Sequence, residues 1–128
     1  MSSGRRAIHL AGISHGPGRP AGSRIGNIVV SAALVGRDPA TGEVPADPAA
    51  QMNELFLTML RFLEAAEVTV DDVIRVNVTL AQAEYRELLN TEWAKNFNDE
   101  ESLPTREATI APLPGNTIAR LDLMAVAS

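Results

Sequence analysis

Val73-Ile74-Arg75-Val76-Asn77-Val78-Thr79-Leu80 alternates Ile74, Val76, Val78 and Leu80 with Arg75, Asn77 and Thr79. Successive side chains of a strand point to opposite faces, so the pattern predicts a half-buried strand with one apolar and one polar side. Helices are predicted on both sides of it. Upstream, Asp47 stands as an N-cap with Pro48 at the first helical position. Met52, Leu55, Phe56, Met59, Leu60 and Leu63 then recur at intervals of three and four, which predicts a helix from Pro48 to about Ala66. Thr69 can cap a short turn before the strand. Downstream, Tyr85, Leu88, Leu89, Trp93 and Phe97 share one face of a second helix over about Gln82 to Asn98.

Farther out, Ala7 to Ala11 reads as a short strand, followed by a loop of breakers from Gly12 to Gly22. Arg24 to Ser31 carries a Gly26-Asn27 hairpin signal and leads into a strand, Ile28 to Ala33, expected to be buried. Residues 37–48 are turn chemistry. Thr105 to Ala111 and Asn116 to Val126 form two last strands around a Pro-Leu-Pro-Gly-Asn turn. The order predicts one α+β domain over residues 1–128, with 1–6 flexible and both helices on one face of the sheet. Ile118 and Met124 would then stay on the uncovered face, so a homo-oligomer with sites near its subunit contacts is expected.

Composition narrows the function. Of 128 residues, 45% are hydrophobic and 21% charged, as in a soluble globular domain, and no apolar run nears the roughly 20 residues of a membrane span. Arg5-Arg6 precedes a segment too short and broken for a signal-peptide core, which makes a cytoplasmic location the default. Cysteine is absent, removing disulfides, thiolate metal sites and a cysteine nucleophile. A net charge of −5, with ten arginines against the lone Lys95 and no basic cluster beyond Arg5-Arg6, argues against a nucleic-acid partner.

The chemistry centres on Leu103-Pro104-Thr105-Arg106-Glu107-Ala108-Thr109-Ile110-Ala111 and on Asp122, sixteen residues after the arginine. Arg106 shares a strand face with Ala108 and Ile110. Asp122 shares one with Ile118, Arg120 and Met124. An arginine fork can fix a substrate carboxylate while an acidic group positions water. The alternative is that Arg106 and Asp122 neutralise each other as an ion pair, with Arg120 competing for Asp122. His15 sits in the Gly/Pro loop and is a candidate acid/base and loop contact, the alternative being a loop histidine in solvent. His9 and His15 lack a supporting carboxylate motif, and no metal is expected. Arg19 and Arg24 are either a second anchor for a larger or dicarboxylate substrate or solvated loop charge. The loop glycines lack the strand-to-helix setting of a nucleotide site, and Ser31 lacks the turn of a hydrolase nucleophile.

Ser31-Ala32, the run Asp38-Pro39-Ala40-Thr41-Gly42-Glu43-Val44-Pro45-Ala46-Asp47, Asn90, Pro104-Thr105-Arg106 and Leu113-Pro114 together resemble the RidA/YjgF-type reactive-intermediate deaminases, over roughly Gly26 to Val126. The resemblance implies a chorismate-mutase-like α+β protomer and a homotrimer with clefts between subunits. There, enamines or imines of small carboxylic acids are hydrolysed to 2-oxo acids and ammonia without a cofactor. It further implies that Arg106 grips the substrate carboxylate and that Asp122 stands for a glutamate that handles water. Asn90, Ser31, Ala32 and Ala108 would line the cleft. Ala108 replaces a frequent cysteine, Arg120 an acidic or polar residue, and the first loop lacks a usual tyrosine. Asp122 is one methylene shorter than glutamate, setting its carboxylate on the order of 1 Å back. Alternatives within the resemblance are a non-catalytic 2-oxo acid-binding trimer, a specialised deaminase of an aminomuconate-like enamine, and the ribonuclease or translation-inhibitor role by which some relatives are labelled.

Overall fold

The computed structural model describes residues 4–12 and 15–128. Among them are seven strands, β1 (Arg5–Ile8), β2 (Gly22–Ile25), β3 (Ile28–Ser31), β4 (Leu34–Val35), β5 (Val73–Leu80), β6 (Thr105–Ile110) and β7 (Ala119–Val126), and two helices, α1 (Pro48–Ala65) and α2 (Arg86–Asn96). The strands form one mixed sheet in the order β1-β2-β3-β7-β5-β6, with β4 also paired to β7. Only β5 and β6 run parallel; α2 lies between them in the chain, as a parallel connection requires.

At the centre, β5 and β7 place Val76 opposite Leu123 and Val78 opposite Leu121. All four are buried, with Met52, Leu55, Phe56, Met59, Phe62 and Leu63 of α1 and Leu89 of α2 in the same core. The expected α+β class, with two helices on a mixed sheet, is therefore observed. Phe62, outside the stripe read from the sequence, is fully buried. Its ring and the Val30 carbonyl occupy the place where a Cβ on Gly22 would sit, so only glycine lets β2 pass beneath it. α1 starts as expected, with Pro48 in its first turn and the Asp47 side chain accepting from Ala50 N–H at 2.9 Å. Thr69 opens a short 3-10 turn whose Asp72 carboxylate accepts from the Thr69 backbone N–H.

Several boundaries and faces differ from the sequence reading. β1 begins at Arg5, inside the six residues expected to be flexible, because residues 5–8 pair with 22–25 and Arg6 also meets Glu67 at 3.6 Å. β3 stops at Ser31, and only Val29 of its apolar residues is buried; Ile28 and Val30 point to the other side. A register shift between Val73 and Arg75 puts Val73 in the core and leaves Ile74 exposed, reversing its predicted face. Ile118 precedes β7 and is buried instead of lying on the uncovered face. The second helix opens as a 3-10 turn, Ala83–Tyr85, and is regular only from Arg86. No helix among the described residues is long and apolar enough to cross a membrane.

One buried side chain ties α1 to the loops flanking β7. Gln51, 1% exposed, donates to the carbonyls of Pro45 and Asn116, both at 3.0 Å, and accepts from Ile118 N–H at 2.7 Å. Gln51→Leu keeps the volume but strands those three backbone groups. A buried unpaired group costs about 1–3 kcal/mol; the Ile118 N–H is buried and the two carbonyls only partly so, so the variant is expected to lose about 2–4 kcal/mol in urea unfolding, and an unchanged midpoint contradicts the clamp.

Candidate active site

Arg106 leaves the edge strand β6 in register with Val76, whose row continues to Leu123; its side chain therefore lies on the helix-covered side. Its guanidinium carbon stands 5.1 Å from the centre of the Trp93 ring, a cation–π contact that holds the arginine against α2. Trp93 stacks in turn on Phe97 at 4.4 Å. α2 itself is fixed against α1 by Glu92, which accepts from Asn53 at 3.1 Å and Lys95 at 2.8 Å. Arg86, Asn90 and Trp93, at intervals of four and three, share the helix face that meets Arg106.

Among the described residues, none of the ion pairs and hydrogen bonds satisfies Arg106. Partial burial, and then the positive charge of Arg86, press its pKa below the ordinary arginine value, although a guanidinium stays protonated near neutral pH. An exposed cation with an aromatic floor, a cationic neighbour and no carboxylate partner is an electrostatic vacancy for an anion. Ala108, on the same strand face, is half-buried and puts little bulk beside it.

Asp122 lies on the other side of the sheet. Asn77 pairs with Asp122 on β7 and with Glu107 on β6, so these three form one row on the face without helices. The Asn77 amide donates to Asp122 Oδ1 at 3.0 Å, which aims the half-buried carboxylate. Glu107 is drawn to Arg75 at 3.6 Å. Arg106 and Asp122 are therefore not an ion pair, and a single chain does not bring them together. Asn77 was read from the sequence only as a strand residue. Its place in the polar alternation with Arg75 and Thr79 was the available signal, but its partner becomes visible only with the β5–β7 register.

The remaining candidates separate as well. Asn90 joins the Arg106 group. Ser31 is the last residue of β3, where its hydroxyl accepts from Leu123 N–H at 2.9 Å and donates to Ala32 O at 2.8 Å, beside Asp122 in the chain of β7. His15 and Arg19 line a cavity of about 340 Å³ with His9, beyond the opposite edge of the sheet from Arg106. His15 Nε2 is 3.0 Å from Ala33 O, a contact in which Nε2 carries the hydrogen and donates. Arg24 is neither anchor nor loop charge: from β2 it donates to Ala66 O at 2.8 Å and to Glu67 O, satisfying carbonyls at the end of α1. The cavity beside the start of β6, about 270 Å³ and lined by Phe97, Leu103 and Thr105, stops short of Arg106.

The same arrangement of strands and helices recurs in known proteins, and residues 20–119 match the family model described as endoribonuclease L-PSP. The chain belongs to this family, also called RidA/YjgF. A RutC family protein of Haemophilus influenzae is 29% identical over 105 residues, 80% of this chain and 81% of that one. A 2-iminobutanoate/2-iminopropanoate deaminase of Escherichia coli is 27% identical over 107 residues, 82% and 84% of the two chains. Among solved structures, a probable translation initiation inhibitor from Rhodopseudomonas palustris superposes with a TM-score of 0.87 at 27% identity, covering 96% of this chain and 98% of that one.

Trp93 is the only tryptophan of this family member, so its fluorescence reports directly on Arg106. Titration with 2-oxobutanoate is expected to change that emission saturably, and Arg106→Ala to remove the response while the circular dichroism stays native. A saturable response that survives in Arg106→Ala contradicts the assignment of this surface as the anion site.

Proposed function

We propose that the protein hydrolyses 2-enamine and 2-imine carboxylic acids to 2-oxo acids and ammonia, in clefts between the subunits of a homotrimer. The observation that carries this reading is Arg106, a guanidinium held on Trp93 with no acidic partner among the described residues. A carboxylate accepted by its fork leaves the adjacent imine carbon at a fixed place. Water adds to that carbon, forming a C–O bond as the C=N π pair moves to nitrogen. Asp122 takes one proton from the water and passes it to the nitrogen, giving the carbinolamine; it then takes the hydroxyl proton and delivers it to the amine as the O–H electron pair forms the C=O bond and the C–N bond breaks, releasing ammonia and the 2-oxo acid. Protonated imines are strongly electrophilic, so positioning and one proton carrier are enough.

Because Arg106 and Asp122 project from opposite faces, a cleft using both takes them from different copies. An apolar surface supports association: Ile25, Ile28 and Val126 form one row across β2, β3 and β7 on the uncovered face, with Val30 beside it, and all are exposed in the single chain. The name of the Escherichia coli relative, a 2-iminobutanoate/2-iminopropanoate deaminase, supports this reading.

A second reading, a 2-oxo acid-binding protein without turnover, is favoured by one feature: Arg106 and Trp93 meet within one chain, with Asn90 on the same helix face as Trp93, independent of Asp122. Ammonia release from freshly generated 2-iminopropanoate separates the two. The parent is expected to accelerate it, Arg106→Ala to lose the acceleration, and Asp122→Asn to lower it by about a hundredfold or more while keeping the Trp93 response. A folded parent that binds 2-oxo acids without accelerating ammonia release establishes the binding reading instead.

A further inference from the structure

Arg106 is not the only cation on its surface. Arg86 stands at the start of α2, seven residues before Trp93 and hence on the same helix face, with Asn90 between them. At 1.5 Å of rise per residue, Arg86 and Trp93 are separated by about 10 Å along the helix axis, and their side chains can shorten that span. Arg86 is exposed, and neither its guanidinium nor that of Arg106 meets a carboxylate among the described residues. The nearest acids in sequence do not relieve this. Glu107 points to the other face of the sheet toward Arg75, and neither Glu84 nor Glu87 forms an ion pair with either arginine.

We propose that Arg86 is a second anion anchor, and that Arg86, Asn90 and Arg106 together select imino and oxo acids carrying a second carboxylate four to five carbons along the chain. The inference rests on Arg106 as the grip for the first carboxylate. Two like charges at one helix face repel unless an anion lies between them, and a dianion neutralises both where a monocarboxylate leaves one repelling charge. The Asn90 amide, between the two on the helix face, offers a donor and an acceptor to the middle of such a chain. The unfavourable effect of Arg86 on the charged state of Arg106 agrees with this crowding. A second anchor was sought in the sequence at Arg19 and Arg24, but Arg24 is consumed by the end of α1 and Arg19 lies beyond the opposite edge of the sheet.

The test compares 2-oxoglutarate with 2-oxopentanoate, which has the same carbon chain without the second carboxylate, by isothermal titration calorimetry on the full-length protein. The parent is expected to bind 2-oxoglutarate about tenfold more tightly at low salt, and the preference to shrink as salt screens the exposed pair. Arg86→Gln is expected to erase the preference while leaving 2-oxopentanoate binding within about twofold, and Arg86→Lys to keep part of it. No preference in the parent, a preference that survives Arg86→Gln, or equal loss of both ligands overturns the proposal. Both ligands bind without turnover, which separates the two ideas. A preference in a parent that releases no ammonia strikes only the deaminase reading, and ammonia release without a preference strikes only this inference.

Discussion

The structure depends on a sheet that helices cover on one side only. α1 and α2 take up the faces bearing Val29, Val76, Val78, Leu121 and Leu123, and strand alternation then sends every second side chain to the bare side. The register of three neighbouring strands does the rest. Val76 aligns Arg106 with Leu123, whereas Asn77 aligns Glu107 with Asp122. One residue of offset along the strand thus separates the guanidinium and the carboxylate by the full thickness of the sheet. Their chemistry can meet only if the bare face of one copy comes against the arginine edge of another.

That separation changes what each residue is for within a chain. Arg106 packs on Trp93, which lies against Phe97, and α2 is tied to α1 through the Glu92–Asn53 hydrogen bond. Asp122 is aimed by Asn77, and the adjacent Leu123 N–H is taken by Ser31. Gln51 fixes the turn from which β7 starts. The Asp122 carboxylate is thus oriented by a side-chain amide of the neighbouring strand.

Much of the fold was legible because periodicity and caps are local. The Asp47-Pro48 start of α1, its stripe from Met52 to Leu63 and the alternation of β5 all require only neighbouring residues. The misreadings arose where distant partners decide. Ile74 changes face through a register shift against β7, Ile118 is drawn into the core by Gln51, and the first strand extends to Arg5 because β2 pairs with it. At the site, Arg106, Asp122 and Asn90 were visible through their resemblance to a family pattern. Asn77, Arg86 and Trp93 were not, because their roles come from strand register and from which helix face meets β6. In the sequence Arg24 is open to two readings, a substrate anchor or solvated loop charge, since nothing local reveals that the end of α1 lies within reach of β2.

The central claim is that one cleft draws Arg106 and Asp122 from two copies. Co-refolding Arg106→Ala with Asp122→Asn in equal amounts tests it most directly, measured as ammonia release from 2-iminopropanoate. Random mixing should return about a quarter of the parent activity, since each cleft regains both groups when its arginine and its acid come from the right copies. Activity in the mixture no higher than that of either variant alone, with mixed oligomers verified by mass, would contradict a shared cleft.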